Sequence, residues 1–173
     1  IPTPQSVSTT DPAIAANRLD GKKVVRKPLS GHRTAELYER KTIETSQTSA
    51  AYTYQEYIPG KDIRVYVLGG TVIGAYSIET RDMPEMTIDY RGFEDDITEV
   101  NLDSEHRSLC RRVAELLDVQ FCAIDCKLQP AETTSGDMIV LECNPNPGFV
   151  AVEEAVGRDV LTDALTEFIH KES

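Results

Sequence analysis

The 173-residue sequence lacks the features that mark membrane and secreted proteins. It has no run of 18 apolar residues, which a transmembrane helix requires. Its first residues, Ile1 to Gln5, contain neither the basic segment nor the apolar stretch of a signal peptide. It also begins without Met, as expected of a fragment or a processed chain. We therefore expect a cytoplasmic protein that has no membrane partner.

Basic residues are also scarce, because 18 Lys and Arg stand against 29 Asp and Glu, for a net charge of -11. This balance argues against nucleic acid or an anionic membrane as the main partner. With 40% hydrophobic and 27% charged residues, the chain can bury a core. Its length suits one ordinary domain or two small lobes.

The four cysteines, Cys110, Cys122, Cys126 and Cys143, form no CxxC pair, and their spacing matches no zinc template. We predict four reduced and mostly buried thiols, as is usual in a cytosolic protein.

Hydrophobic periodicity predicts an α+β fold with mainly antiparallel sheets. Val- and Ile-rich runs at 62–68 and 71–78 flank Gly69-Gly70, which is a strong hairpin signal. Residues 80–101 are expected to form a long loop with a short strand, and 29–47 resist assignment. The other predicted elements are a capped short helix at 12–16, strands at 22–28, 52–58, 121–128 and 138–143, and helices at 102–118 and from 160 onward.

The last strand pair carries the most informative residues. Side chains alternate between the two faces of a strand, so one pairing register brings Asp125, Glu142 and Asn144 together while the cysteines enter the core. Two carboxylates and an amide oxygen suit a hard cation such as Mg²⁺. The alternative is that Asp125 and Glu142 are ordinary acids on a solvated face of the sheet.

Several segments in order resemble those of ATP-grasp ligases, in the branch related to the ribosomal protein S6 (RimK-type) α-L-glutamate ligases. Each segment is weak alone, but five in the family's order are specific. They are Val24–Leu29 (VVRKPL), Gln55–Ile58 (QEYI) followed by Asp62–Val65 (DIRV), Asp89–Arg91 (DYR), Ala123–Asp125 (AID) and Glu142–Gly148 (ECNPNPG).

The resemblance implies two ATP-grasp lobes with nucleotide between them. It implies that Lys27 contacts the α- and β-phosphates, and that Asp62 contacts the ribose or lies next to it. The hinge residues Glu56, Tyr57 and Ile58 would contact the nucleotide. Glu56 would accept from the adenine amino group or the ribose, and Tyr57 would offer its backbone N–H to adenine.

The remaining implied roles concern the reacting phosphate. Arg64 and Arg91 would face the γ-phosphate or an acyl phosphate, although both could instead form salt bridges with nearby acids. Asp125, Glu142 and Asn144 would hold one or two Mg²⁺ ions, with Mn²⁺ as an alternative metal. No protein nucleophile is required, since positioning and charge neutralisation carry the reaction.

The implied activity is an ATP- and Mg²⁺-dependent carboxylate–amine ligase that acts through an acyl phosphate. Its substrates would be a small-molecule or peptide carboxylate and an amino acid such as glutamate. We expect a lead-in segment at 1–19, a small lobe at 20–58 and a large lobe at 59–173. The α/β domain that normally precedes these lobes is not in the sequence, and a homo-oligomer is a further expectation.

One departure favours a different function. The family's phosphate-covering loop is glycine-rich, whereas Ser30–Ala35 contains one glycine, Gly31. The alternative is therefore a catalytically degraded module that binds a nucleotide or a partner. A purely structural α+β domain is a third interpretation.

Overall fold

The computed structural model describes residues 1–29, 35–38, 50–80, 94–130 and 137–172. The predicted phosphate loop up to Thr34 lies outside the described residues. The helices within these ranges are α1 (Pro12–Arg18), α2 (Ser104–Leu116), α3 (Val150–Val156) and α4 (Val160–Glu172). The strands are β1 (Ser6–Thr9), β2 (Val24–Pro28), β3 (Glu36–Tyr38), β4 (Tyr52–Glu56), β5 (Lys61–Leu68), β6 (Thr71–Thr80), β7 (Glu94–Glu99), β8 (Phe121–Leu128) and β9 (Met138–Asn144).

The strands form two sheets, ordered β1-β4-β2-β3 and β7-β6-β5-β8-β9. In the first sheet, the pair β1–β4 is antiparallel. In the second sheet, the same is true of β5–β6, β5–β8 and β8–β9. The predicted α+β class with mainly antiparallel sheets is therefore confirmed. The predicted hairpin and the helices near 102–118 and after 160 are also present.

The chain divides into two compact units, one made of Ile1–Thr3, Pro59–Glu79 and Glu94–Ser173 and the other mainly of Pro4–Ile58. The expected lead-in segment at 1–19 contains β1, which pairs with β4 inside the smaller sheet, and its bounds stay a prediction. The four residues of β1, three of them Ser or Thr and one Val, offer no periodicity strong enough to predict this strand. The lobe bounds 20–58 and 59–173 stay a prediction.

In the smaller unit, α1 packs against one face of the four-stranded sheet. Asp11 begins the helix, because its carboxylate accepts a hydrogen bond from the Ala13 N–H at 2.9 Å. Pro12 follows at a position where a missing N–H costs nothing. The core of this unit consists of Ala15, Ala16, Leu19, Val24 and Tyr54.

In the larger unit, α2 covers one face of the five-stranded sheet. The Asp103 carboxylate begins this helix by accepting from the N–H groups of Glu105 and His106 at 3.0 and 2.9 Å. The residues that the helix and sheet bury together include Val65, Val113, Cys110, Cys122, Ile124 and Cys126. A second cluster joins the opposite face of the sheet to α3 and α4 through Tyr66, Tyr76, Ala123, Val152 and Leu161.

The cysteines agree with the prediction from spacing. All four are free, three are buried, and Cys143 is half-buried. None of the helices in the described ranges has the length and apolar character needed to cross a bilayer.

Candidate active site

The two faces of the larger sheet differ in polarity. On β5, Ile63, Val65 and Val67 point into the core under α2, so the residues between them lie on the other face. The same alternation holds along β8, where Cys122, Ile124 and Cys126 enter the core. The second face thus gathers Asp62, Arg64, Asp125, Lys127, Glu142 and Asn144.

The acidic residues of this face meet across β8 and β9. Asp125 and Glu142 are directly opposite each other, and Asn144 lies two residues further along β9, opposite Ala123. Directly opposed side chains in an antiparallel pair are close neighbours, and diagonal ones remain within reach. The predicted register, which brings these three side chains together with Cys143 turned to the core, is confirmed.

The Asn144 side chain is held by the turn that follows it. Its Oδ1 accepts a hydrogen bond from the Asn146 N–H at 2.9 Å. Further along, the Tyr66 hydroxyl donates to the Gly148 carbonyl at 2.8 Å. The Phe121 ring stacks on the Tyr66 ring, with 6.4 Å between their centroids. It meets the Phe149 ring edge-on, with 6.1 Å between centroids. The amide oxygen is oriented before any ligand arrives, and it keeps a second lone pair for one.

These three residues fit a hard cation in their chemistry. All the donor atoms are oxygens, and Glu142 is exposed while Asp125 and Asn144 are half-buried. Two carboxylates and an amide would leave positions around Mg²⁺ for water and phosphate oxygens. Within the described residues, no three His, Cys, Asp or Glu side chains cluster closely enough to hold a metal ion. A cation bound here would therefore need the Asn144 amide oxygen and oxygens of the substrate as further ligands. The metal role stays a prediction.

Arg64 lies in the same row of the sheet, opposite Asp125 on β8 and Tyr76 on β6. Its guanidinium is 3.4 Å from Asp125 Oδ1, and the Arg64 side chain is only 14% exposed. The contact is the ion pair that the sequence offered as an alternative to phosphate binding. The two roles are compatible, since a guanidinium has five N–H donors.

Asp62 pairs with Lys127, a residue to which the sequence analysis gave no role. Lys127 donates from Nζ to Asp62 Oδ2 at 2.8 Å. Burial raises the pKa of Asp62, and the Lys127 ammonium opposes that rise. Strand alternation was the signal that could have identified Lys127, since it lies two residues beyond Asp125.

In the smaller unit, Lys27 lies on β2 opposite Thr53 of β4. Val24 packs towards α1, so alternation places Lys27 on the sheet face away from that helix. Its side chain is half-buried. Contact with nucleotide phosphates stays a prediction for Lys27.

Two hinge residues have partners within the chain, and their nucleotide roles stay predictions. The Tyr57 N–H, expected to face adenine, donates to the Lys23 carbonyl at 2.8 Å, because the β2–β4 pairing continues beyond Glu56. The Glu56 carboxylate, expected to accept from adenine or ribose, forms an ion pair with Lys22 at 2.7 Å. Because Glu56 is directly opposite Val24, its side chain lies on the same face of the sheet as Val24, towards α1. Ile58 is half-buried at the end of this segment, and its contact with the nucleotide stays a prediction.

Arg91, the second predicted phosphate ligand, lies outside the described residues. Its assignment to the γ-phosphate or an acyl phosphate therefore stays a prediction from the DYR motif.

Comparisons with known proteins identify the family of the chain. Residues 33–169 match the family described as the RimK-like ATP-grasp domain. Human N-acetylaspartylglutamate synthase A is 33% identical over 115 residues, which cover 63% of this chain and 27% of that protein. A probable α-L-glutamate ligase from Teredinibacter turnerae is 32% identical over 120 residues, or 68% of this chain and 37% of that protein.

A solved structure of the ATP-grasp ligase PsnB, in complex with a phosphomimetic variant of its minimal precursor, Mg and ADP, is similar in fold. Its TM-score is 0.76 at 29% identity, and the match covers 96% of this chain and 53% of that one. The chain thus spans about a quarter to a third of the curated relatives and about half of this structural neighbour. Since the matching family model covers most of the sequence, the chain belongs to the RimK-like ATP-grasp domain family.

Proposed function

We propose that the chain is the ATP-grasp part of an ATP- and Mg²⁺-dependent carboxylate–amine ligase that resembles the α-L-glutamate ligases. The observation that carries this proposal is the placement of Asp125 opposite Glu142, with Asn144 beside them and Arg64 in the same row. Relatives named as glutamate ligases and a neighbour bound to Mg and ADP support it.

The reaction has two steps and needs no protein nucleophile. An oxygen of the substrate carboxylate attacks the γ-phosphorus of ATP, the bond to the bridging oxygen breaks, and ADP leaves. An amine then attacks the acyl carbon of the acyl phosphate and loses a proton to solvent as phosphate leaves. The products are an amide, ADP and phosphate.

The chain's residues would act by binding and by neutralising charge. Arg64 would hold the oxygens of the transferred phosphoryl group, and Lys27 those of the α- and β-phosphates. Asp125, Glu142 and Asn144 would hold Mg²⁺, which when bound draws negative charge from the β- and γ-phosphates. Asp62 would accept from the ribose.

The substrate proposal follows the relatives' names. Glutamate is the proposed amine, because the curated relatives include probable α-L-glutamate ligases. A small-molecule or peptide carboxylate is the proposed acceptor, and peptide is supported by neighbours solved with precursor peptides. The four free thiols fit a reducing compartment, so we propose a cytoplasmic location.

The test is binding of Mg-ADP, read as thermal stabilisation of the chain. Ligand at about 100 times its Kd should add about 2.7 kcal/mol to the free energy of unfolding. Glu142→Gln should remove most of this stabilisation without unfolding the protein, since Glu142 is exposed. Glu115→Gln is the matched control, because Glu115 is an exposed acid on α2, on the other side of the sheet.

Two results would contradict the proposal. One is equal stabilisation of the wild type and Glu142→Gln, which would remove the metal assignment. The other is stabilisation by ADP that does not depend on Mg²⁺. If binding follows the prediction, amino acids are screened by phosphate release from ATP, with glutamate first.

The single glycine between Ser30 and Ala35 favours a second candidate, a nucleotide-binding module that has lost turnover. Such a module would bind Mg-ADP as above but release no phosphate with any amino acid and carboxylate pair. The screen therefore separates the two functions.

A further inference from the structure

Lys127 lies on the polar face of the larger sheet and bonds two groups at the start of β5. It is directly opposite Asp62, donates to Asp62 Oδ2 at 2.8 Å and reaches the Gly60 carbonyl at 3.4 Å. The side chains of Lys127 and Asp62 are 16% and 26% exposed. The pair is thus largely withdrawn from water, yet one side of it stays open to a ligand.

The turn before β5 packs closely against the end of β8. Gly60 has a φ of 134°, and a Cβ there would lie 2.5 Å from the Leu128 carbonyl oxygen. The turn therefore touches the end of β8 directly, one residue from Lys127. The ammonium joins this turn to Asp62, so three neighbouring groups are fixed relative to one another.

A count of donors and acceptors indicates what the pair can bind. An ammonium has three N–H donors, of which Asp62 and Gly60 take two. A carboxylate has two oxygens, and Lys127 engages Oδ2. Among the described residues, one N–H of Lys127 and Oδ1 of the neighbouring Asp62 are left for a ligand. A donor next to an acceptor is the complement of two adjacent hydroxyl groups, where one hydroxyl accepts and the other donates.

We propose that Lys127 is a further nucleotide-binding residue, which together with Asp62 binds the vicinal hydroxyls of the ribose. The inference rests on the proposed nucleotide function and adds Lys127 to it. Lys127 donates to one hydroxyl oxygen, Asp62 accepts from the other hydroxyl, and the ion pair holds both groups in place. The class of ligand is therefore a ribonucleotide rather than a deoxyribonucleotide.

The experiment measures the affinities of Mg-ADP, Mg-2′-deoxyADP and Mg-3′-deoxyADP by calorimetry on the wild-type chain and on Lys127→Met. Methionine keeps the length of the side chain but removes its charge and its donors. Lys61→Met is the matched control, because Lys61 is exposed and lies on the opposite face of the same strand pair.

The wild type should bind ADP at least about tenfold more tightly than one of the deoxynucleotides, since a lost charge-assisted hydrogen bond has about this effect. Lys127→Met should weaken ADP by about tenfold but that deoxynucleotide by less than about threefold. Lys61→Met should leave all three affinities unchanged. This pattern distinguishes a bond to the hydroxyl from a general loss of structure.

An equal loss for all three nucleotides in Lys127→Met, or no loss for any, overturns the role of Lys127 while leaving the nucleotide site intact. A wild type that binds none of the three overturns the proposed function and the ribose contact with it. If Lys127→Met fails to fold because Asp62 loses its cation, the double variant Asp62→Asn/Lys127→Met removes that charge. It should bind the three nucleotides equally, and retained discrimination would contradict the proposal.

Discussion

Tyr66 links two parts of the chain that are 82 positions apart. Its side chain is fully buried, and its hydroxyl donates to the carbonyl of Gly148, in the turn after β9. Burial raises the pKa of Tyr66, so the hydroxyl keeps its proton and remains a donor at neutral pH. One hydrogen bond thus connects the centre of β5 to the turn that orients Asn144.

Tyr66→Phe should remove this bond and keep the ring packing. We expect a loss of about 1 kcal/mol in the free energy of unfolding. The free energy of Mg-ADP binding should weaken by more than this, because the turn that orients Asn144 loosens. Urea unfolding and calorimetry measure the two effects. Tyr76→Phe is the control, since the Tyr76 ring lies 6.0 Å from Tyr66 on the same face. Equal effects of both variants on affinity would contradict a specific role for the Tyr66 hydroxyl.

At the scale of elements, the side chain of Glu153 on α3 caps the N-terminus of α4. Its Oε1 accepts from the N–H groups of Leu161 and Thr162 at 2.8 and 2.7 Å, and its Oε2 accepts from the Thr162 hydroxyl at 2.7 Å. The first N–H groups of a helix have no partner inside it and attract negative charge. Burial acts to raise the pKa of Glu153, but these hydrogen bonds outweigh burial and lower it.

Glu153→Gln should therefore destabilise the larger unit by about 1–3 kcal/mol at pH 7. Since the folded-state pKa is lowered from 4.5, this contribution is present above about pH 4.5 and disappears as the pH falls through the folded-state value. Urea unfolding of the wild type and the variant should give a difference that shrinks with acidification. The exposed neighbour variant Glu154→Gln should change stability little, and a pH-independent difference for Glu153→Gln would contradict the interpretation.

Alternation and turn signals predicted those elements that are long and regular. Gly69-Gly70 predicted the β5–β6 hairpin, and the alternation around Asp125 and Glu142 predicted their faces. The short elements β1, β3 and α3 were not predicted, because three to seven residues carry too few periods to be distinguished from a loop.

Site contacts were predictable to the extent that they follow from strand alternation. The Asp125–Glu142 register does so, whereas the Tyr66–Gly148 and Glu153–Thr162 bonds depend on tertiary packing. The partners that Glu56 and Tyr57 have in the structure could not be predicted for a similar reason. Whether the Tyr57 N–H is available depends on how far β2 and β4 remain paired, which motif spacing does not report.

At the scale of the whole molecule, every cysteine contributes to one core. Cys110, Cys122 and Cys126 are buried in the cluster between α2 and the larger sheet, and Cys143 packs against it. Burial, with a contribution from Cys143, raises the pKa of Cys122 to about 12. Thiolate, the reactive form, is therefore scarce at Cys122 near neutral pH.

Reaction with an aromatic disulfide reagent at pH 8 should accordingly be slow in the native chain and should reach four thiols after unfolding. Cys143, which is half-buried, should provide the fastest native phase, so Cys143→Ser should remove that phase. The reagent's absorbance gives both the rate and the count. Rapid reaction of more than one thiol in the native chain would contradict a core that shields Cys110, Cys122 and Cys126 from the reagent.

The irregularity in the β8–β9 pairing shows where this strand can accept an inserted residue. Asp125 is opposite Glu142, but Cys126 is opposite Val140, so Leu141 is an extra residue in β9. One added residue directly after Glu142 would exchange the faces of Cys143 and Asn144. An insertion is thus tolerated just before Glu142 and is incompatible with the site just after it. The two-residue step from Glu142 to Asn144 is therefore what keeps both side chains on one face of the sheet.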